Sequence, residues 1–314
     1  HQIAFSGLRE VPLRVYSPGK DVFSRNGGWS ATKILPGKRV AFVGLGSVGS
    51  VAALELARAG VGAFLLIDPD RLEPENVCRH SCHLDDLGRY KTAAVADRLR
   101  AVNPACRVDE MRVAVEGAPE GWAKLFSGCD LVIVSTDTDR GRALANQAAI
   151  SANRPALFIS LLERAEHGYC QLVVPGKTAC RHCIIGEREE VPKGEFAYAS
   201  LDVREQSIQP GLSADIATVT MQGVRMALDH LSGNGADLPP VAHVFNRPVG
   251  GFDPGLYVSP PHPAIPSCPV CGGEPIPVID MKILAEIPAM PVLEDDQVED
   301  VFLVGDGAST EDGQ

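Results

Sequence analysis

The chain has 314 residues, of which 45% are hydrophobic and 22% are charged, and its formal net charge is -11 at pH 7. This composition is ordinary for a globular protein, and no apolar run is long enough to cross a membrane. The acidic balance disfavours a nucleic-acid surface, which needs a basic stripe to displace counterions. We therefore expect a globular protein that binds neither nucleic acids nor membranes.

The nine cysteines are too few for a disulfide scaffold, and four of them form two CxxC pairs. Such pairs are typical of metal sites in a reducing compartment, so we expect a cytoplasmic protein. The chain begins at His1 with no charged-then-apolar leader, from which we expect a shortened N-terminus and no signal peptide.

Residues 1–36 mix proline, glycine and short apolar stretches, and we expect them to form an arm packed on the following domain. From residue 39 to about 160, apolar strand patterns (RVAFVG, AFLLID, DLVIVS and ALFIS) alternate with helix patterns that begin near Ser47, at Lys91 and at Arg140. This alternation predicts an α/β, Rossmann-like fold: a doubly wound, mostly parallel sheet with helices on both faces.

The later segments GYCQLVV, VAHVFN and GLYVS are predicted strands, the last two antiparallel, and residues 215–231 are a predicted amphipathic helix. From residue 290 onward the chain is acidic and polar, which is typical of a tail. We therefore divide the chain into an arm (1–36), one domain (37–289) and an acidic C-terminal tail (290–314).

The first predicted strand runs into a glycine-rich turn in which Gly44, Gly46 and Gly49 have the G-x-G-x-x-G spacing. Such a loop lets the backbone approach a phosphate at a helix N-terminus. Dehydrogenases, flavoproteins, methyltransferases and some ATP-binding enzymes share this motif, so alone it favours an NAD-dependent oxidoreductase. Asp68, after the second strand, stands where dinucleotide folds place the acid that binds a ribose hydroxyl.

An amide and two cations follow, Asn76, Arg79 and Lys91, which a dehydrogenase does not need. Each alone could be a solvated surface residue. A triphosphate carries far more charge than a nicotinamide dinucleotide and needs such groups along its phosphates. The three residues together therefore favour ATP.

Asp137 follows the strand DLVIVS, at the sheet edge where open α/β sheets bind ligands. A carboxylate there can hold Mg²⁺, which neutralises phosphate charge and orients the leaving pyrophosphate. The alternative role is a helix N-cap, which Asp139 fits better. We therefore assign Mg²⁺ to Asp137 and the cap to Asp139.

In combination, these motifs resemble those of the ubiquitin-activating enzymes and their bacterial ThiF and MoeB relatives, adenylyltransferases that activate sulfur-carrier proteins. The family signature is a glycine loop, D-x-D after strand two, N-L-x-R-Q, a lysine that opens the next helix, and T-D-N. Here, between residues 38 and 271, it reads GLGSVGS, DPD, NVCRH, Lys91 and STDTD. His80 replaces the family's glutamine, a variant that we associate with bacterial ubiquitin-like conjugation, and Thr138 replaces an asparagine.

The resemblance implies an enzyme that uses ATP to adenylate the C-terminal carboxylate of a ubiquitin-like or sulfur-carrier protein and releases pyrophosphate. A conjugating-enzyme-like protein is a further expected partner. The implied contacts are nucleotide at Gly44, Gly46 and Gly49, ribose at Asp68 and Asp70, and phosphates at Asn76, Arg79 and Lys91. The resemblance also implies a homodimer in which an N-terminal arginine reaches the other subunit's phosphates. Arg25 is our candidate, and Arg9 and Arg14 are the alternatives.

The two cysteine pairs, Cys180 with Cys183 and Cys268 with Cys271, suit a closed tetrahedral Zn²⁺ site. A redox dithiol explains one pair but not both. Four thiolates leave no coordination position for a substrate, so we expect the zinc to be structural. We expect most of the other cysteines to be small core residues (Cys78, Cys82, Cys106, Cys129 and Cys170).

Thioester-forming relatives carry a cysteine after the first zinc pair, whereas residues 184–217 of this chain contain none. Either the reaction stops at the acyl-adenylate, or the acceptor thiol lies elsewhere, or it has been substituted.

Two other functions remain as hypotheses. An oxidoreductase predicts nicotinamide binding, but it gives no role to Arg79, Lys91 or the cysteine pairs. A catalytically inactive scaffold subunit would bind a partner without turning over ATP, and the presence of the whole charged set argues against it.

Overall fold

The structure is a computed structural model that describes residues 22–26, 29, 33–117, 121–185, 210–234, 239–248, 250–259 and 262–272. The chain divides into two units, residues 1–276 and 277–314. The second unit, with the predicted acidic tail, lies outside the described residues, as do Arg9 and Arg14.

The bounds of the strands are β1 (Arg39–Val43), β2 (Ala63–Ile67), β3 (Arg107–Met111), β4 (Leu131–Val134), β5 (Ala156–Leu162), β6 (His167–Val173), β7 (Val241–Phe245) and β8 (Gly255–Ser259). They form one sheet in the order β3-β2-β1-β4-β5-β6-β7-β8. The first five strands in chain order are parallel, and β6, β7 and β8 are antiparallel to their neighbours. The predicted α/β architecture, with its late antiparallel strands, is thereby confirmed.

The strand order reverses at β1, which pairs with β2 on one side and β4 on the other. Open α/β sheets bind ligands at such a switch point, in the crevice beyond the carboxyl ends of the strands. Val40, Ala41, Phe42 and Val43 are all buried, as expected of a central parallel strand that is covered on both faces.

The helices of the described residues are α1 (Gly49–Ala59), α2 (Lys91–Val102), α3 (Trp122–Ser127), α4 (Asp139–Ser151), α5 (Arg181–Ile185) and α6 (Ser213–Leu231). One hydrophobic cluster joins α1, α2 and α6 to one face of the sheet, and a second joins α3 and α4 to the other face. Within these residues, no helix is both long and apolar enough to cross a membrane.

Four elements differ from the sequence prediction. Strand β3 was not predicted, because this edge strand is partly exposed and carries charged residues among its few apolar ones. Helix α1 begins at Gly49 rather than near Ser47, since the intervening residues complete the glycine turn. Helices α3 and α5 span only six and five residues, too few for a recognisable helical period.

Candidate nucleotide site

The glycine loop packs closely against the end of β4. Gly44 has a φ of 91°, and a Cβ atom on it would lie 2.8 Å from the Thr136 nitrogen. A Cβ on Gly49 would lie 2.0 Å from the Gly44 carbonyl oxygen. The same oxygen accepts a hydrogen bond of 2.9 Å from Ser135 Oγ. Glycine is therefore required at positions 44 and 49 by the fold itself, whereas a Cβ on Gly46 would meet nothing within 4 Å.

Both backbone groups of Leu45, inside the glycine loop, are held by side chains from later in the chain. Asp68 Oδ2 accepts the Leu45 N–H at 2.6 Å, and His80 Nε2 donates to the Leu45 carbonyl oxygen at 2.7 Å. The Cys82 N–H donates to His80 Nδ1 at 3.0 Å, so that nitrogen carries no proton and the Nε2–H tautomer is fixed. We call these two contacts to Leu45 the Leu45 clamp.

Burial sets the charges of the two clamp side chains. It lowers the pKa of His80 from 6.5 to about 4, with the nearby Lys91 charge acting in the same direction. Burial also raises the pKa of Asp68, although the Lys91 charge and the N–H groups of Leu45 and Asp70 oppose that rise. His80 is therefore neutral near pH 7, as its two hydrogen bonds require. No pattern in the sequence indicated this role of His80.

Asp70 and Lys91 form an ion pair at the carboxyl end of β2. Lys91 Nζ lies 2.8 Å from Asp70 Oδ2, and the Lys91 N–H donates to the Asp70 carbonyl oxygen at 2.9 Å. The Lys91 side chain is 11% exposed and that of Asp70 is 60% exposed. Asp68 accepts two backbone N–H groups, so Asp70 presents the more accessible carboxylate of the two.

Asn76 and Arg79 lie on the segment between Asp70 and Lys91. Asn76 ends a short 3-10 turn, and its Oδ1 accepts the Glu73 N–H at 3.0 Å. The Arg79 N–H donates to the Asn76 carbonyl oxygen at 3.0 Å. Arg79 is half-buried and directly precedes His80 of the clamp, so its backbone lies near the glycine loop.

Asp137 is exposed just beyond β4, and in the described part of the chain its carboxylate makes no hydrogen bond or ion pair. The prediction that Asp139 caps α4 is wrong. Thr138 is the N-cap, and its Oγ1 accepts the Gly141 N–H at 3.0 Å. Asp139 is the first helical residue, and its carboxylate pairs with Arg142 and Arg181 instead.

Arg25 lies in a 3-10 turn, Ser24–Asn26, and is exposed. This turn packs at the C-terminal end of α1, where Asn26 Nδ2 donates to the Arg58 carbonyl oxygen at 2.9 Å. A helix of 11 residues separates that end from the glycine loop by about 16 Å. The structure therefore does not bring Arg25 to the glycine loop of its own subunit.

The four cysteines of the two CxxC pairs converge, with all Sγ atoms within 4.8 Å of one another. The Sγ atom of Cys180 lies 3.9 Å from that of Cys183 and 3.8 Å from that of Cys268. The Sγ atoms of Cys183 and Cys271 are 3.4 Å apart. A tetrahedron with metal–sulfur bonds of about 2.3 Å has edges of about 3.8 Å, so the donor set fits zinc. We call these residues the four-cysteine cluster.

The remaining cysteines mostly match the prediction of core residues. Cys82, Cys106, Cys129 and Cys170 are buried, whereas Cys78 is exposed. Burial raises the thiol pKa to about 11 for Cys82 and Cys129 and to about 12 for Cys170. Thiols this weakly acidic make poor nucleophiles near pH 7.

A cavity of about 280 Å³ lies on the antiparallel strands, and the sequence did not indicate it. Its lining includes the stacked pair His167 and His243, together with Gln171. Gln171 is 1% exposed, and neither atom of its amide has a hydrogen-bond partner in the described structure. Buried amides are normally paired, so this one is available to a group that enters the cavity.

The fold and the site define a Rossmann-like α/β domain with a glycine loop at the switch point and an added four-cysteine cluster. The sequence model of the ThiF family matches residues 23–267, which is more than half of the chain. The chain therefore belongs to the ThiF family.

Two named relatives illustrate the similarity. The chain is 34% identical over 155 residues to ubiquitin-like modifier-activating enzyme 5 of Oryza sativa subsp. japonica, a match that covers 46% of this chain and 37% of that protein. It is 27% identical over 258 residues to the sulfur carrier protein ThiS adenylyltransferase of Bacillus subtilis, covering 81% and 71% of the two chains. The chain thus spans little more than a third of the length of the first relative.

Solved structures of MccB from E. coli share this fold. The complex with MccA-N7isoASN has a TM-score of 0.63 at 19% identity, and the match covers 81% of this chain and 76% of MccB. The complex with ATP has a TM-score of 0.62 at 20% identity, with 81% and 75% covered. At this identity the likeness establishes the fold.

The tight packing of the glycine loop predicts different costs for two alanine substitutions. Gly49→Ala places a Cβ against the Gly44 carbonyl and should lower the free energy of unfolding by about 3 kcal/mol, as overpacking does. Gly46→Ala is the matched control, and it should change stability by about 1 kcal/mol or less because its Cβ meets open space. Urea unfolding of both variants checks this, and equal losses would contradict the loop geometry.

The neutral, buried His80 predicts a specific acid sensitivity. Between pH 6.5 and about 4 the unfolded histidine binds a proton and the folded one does not, so stability falls as the pH drops. This one group should cost about 2 kcal/mol between neutral pH and pH 5.

The matched variant is His80→Gln, which keeps an N–H donor for the Leu45 carbonyl and does not titrate in this range. Urea unfolding at pH 7 and pH 5 should show that the variant loses about 2 kcal/mol less than the unaltered chain does. Parallel losses in the two proteins would show that His80 is not held neutral in the fold.

Proposed function

We propose that the chain is an ATP-dependent adenylyltransferase that acts on the C-terminal carboxylate of a ubiquitin-like or sulfur-carrier protein. The observation that carries the proposal is the charged set at the switch point, where the Asp70–Lys91 pair and the unpaired Asp137 flank the glycine loop. The names of the relatives point to the same reaction class. His80, in place of the family's usual glutamine, supports a role in a bacterial ubiquitin-like conjugation pathway.

In this reaction an oxygen of the carrier's carboxylate attacks the α-phosphorus of ATP. The bond from that phosphorus to the bridging β-phosphate oxygen breaks, and pyrophosphate leaves. Both reactants are anions, so the chain's task is to hold them in line and to offset their repulsion.

Each residue of the set has a role that suits its position. The backbone of Gly44, Gly46 and Gly49 admits the nucleotide, and the open space beside Gly46 leaves room for a phosphate. Asp70, with Asp68 behind it, accepts hydrogen bonds from the ribose hydroxyls. Phosphate oxygens accept hydrogen bonds from Asn76, Arg79 and Lys91.

Mg²⁺ fits Asp137, because an exposed carboxylate that no neighbouring side chain occupies is a suitable oxygen ligand. Bound there, the ion would neutralise phosphate charge and favour departure of the pyrophosphate. The four-cysteine cluster would hold one Zn²⁺ with a purely structural role, since Cys180, Cys183, Cys268 and Cys271 complete its coordination.

The cavity on the antiparallel strands supports a polypeptide substrate. Gln171 offers both a donor and an acceptor, which is what a backbone amide requires. On the same face of the sheet, the edge strand β8 exposes Tyr257, which is paired in register with His243 of the cavity lining. A peptide segment of the carrier protein would satisfy both features.

Arg25 suits a homodimer, because its turn is exposed at the end of α1 that lies away from the glycine loop. From there it would serve the phosphates of the other subunit. We further propose a conjugating-enzyme-like protein as a downstream partner. For the divisions of the chain we propose an arm (1–36), an adenylation domain (37–289) and a tail (290–314).

Pyrophosphate exchange tests the function and the Asp137 assignment together. The unaltered chain, ATP, Mg²⁺ and a candidate ubiquitin-like protein encoded beside it should incorporate labelled pyrophosphate into ATP. Asp137→Asn should lower that exchange by about 10²–10³-fold, as loss of one such electrostatic group does, with stability unchanged.

The control is Asp85→Asn, the same change at an exposed carboxylate on a different segment, and it should exchange at the normal rate. Undiminished pyrophosphate exchange in Asp137→Asn would show that Asp137 does not hold Mg²⁺. ATP binding without exchange by the unaltered chain would favour the scaffold hypothesis instead.

The four-cysteine cluster predicts about one zinc ion per chain by elemental analysis. Cys180→Ser with Cys268→Ser should abolish metal binding and lower the melting temperature by about 10 °C, because the ion cross-links distant segments. Cys78→Ser, at an exposed cysteine outside the cluster, should change neither quantity. Loss of zinc with an unchanged melting temperature would refute the structural role.

A further inference from the structure

Arg181 is a buried cation inside the first CxxC pair. It is the first residue of α5, and only 7% of its surface is exposed. Arginine is rarely buried to this extent without an anionic partner. Here Nη2 donates to Asp139 Oδ1 at 3.0 Å, and the guanidinium carbon lies 6.0 Å from the centre of the Phe158 ring. The ion pair therefore joins the four-cysteine cluster to the N-terminus of α4.

Two arginines reach the same oxygen of Asp139, but they differ in what they connect. Arg142 lies 3.3 Å away and belongs to α4 itself, so its contact does not fix the helix relative to any other element. Arg181 belongs to α5, between two cysteines of the cluster, so its contact links two separate parts of the fold. Arg142 is thus a natural control for Arg181.

A second contact strengthens the link. The backbone N–H of Arg181 donates to Asn146 Oδ1 at 3.2 Å, and Asn146 is 1% exposed. Residues 139 and 146 are seven positions apart, which places them on the same side of α4 and about two turns from each other. Arg181 therefore holds α4 at two points, and these restrain both its position and its rotation.

We propose that Arg181 is a positioning residue that transmits the placement of the four-cysteine cluster to the Asp137–Asp139 loop. The loop also gains support from Thr138, which caps α4 and whose Oγ1 donates to Glu116. The role of the loop in holding Mg²⁺ rests on the proposed function. The contacts of Arg181 with Asp139 and Asn146 stand whether or not the proposed function is right.

Arg181→Met tests the link, because methionine keeps an apolar stem above Phe158 and removes the charge. Hydrogen exchange at the backbone amides of Gly141 and Arg142, which both donate to Thr138, should accelerate about tenfold, with the metal content of the protein unchanged. The Mg²⁺ concentration that gives half of the ATP-dependent rise in melting temperature should also increase about tenfold, as it does when residues that orient a metal ligand are changed. Arg142→Met should leave both quantities within about twofold, and Arg181→Lys should restore most of the loss.

The proposal would be overturned if hydrogen exchange and the Mg²⁺ dependence of the melting temperature were identical in Arg181→Met, Arg142→Met and the unaltered chain. If Arg181→Met does not fold, Asp139→Asn removes the same ion pair from the other side and should accelerate the same amides. Normal exchange in Asp139→Asn would likewise overturn it. Accelerated hydrogen exchange in Arg181→Met, together with no effect of ATP and Mg²⁺ on the melting temperature of the unaltered chain, would support the link and reject the proposed function instead.

Discussion

The geometry of the candidate site depends on the Leu45 clamp. The glycine loop leaves the backbone of Leu45 without partners of its own, and Asp68 and His80 take its N–H and its carbonyl oxygen. Both contacts are buried, where an unmade hydrogen bond is costly. The loop, the end of β2 and the segment that carries Arg79 are therefore fixed to one another before any ligand binds.

The clamp also explains how a segment of more than twenty residues is ordered beside the sheet. At its base, the Leu72 N–H donates to the Arg89 carbonyl oxygen and the Gly88 N–H donates to the Leu72 carbonyl oxygen. Lys91 then closes the segment onto Asp70. His80 ties the middle of the segment to the glycine loop. Arg79 directly precedes His80, so the backbone that carries this cation is held in place although it belongs to a loop. A cation on a fixed backbone favours electrostatic preorganisation.

The sequence predicted the parts of the molecule that depend on local pattern. Helix α2 begins at Lys91 and ends at Val102 as expected, since apolar periodicity marks it clearly. The partners of His80 and Arg181 could not be predicted, because each contacts a residue at least 35 positions away that only the tertiary fold brings near. The cap of α4 was misassigned to Asp139 because Thr138 and Asp139 both suit an N-cap, and only the backbone path separates them.

We propose that the charged set beside the glycine loop is built for a triphosphate rather than for a nicotinamide dinucleotide. Calorimetric titration of the full chain with ATP and Mg²⁺, and separately with NAD, tests this claim most directly. We expect saturable binding of ATP that weakens in Arg79→Ala, and no heat of binding for NAD. Saturable binding of NAD without binding of ATP would contradict it.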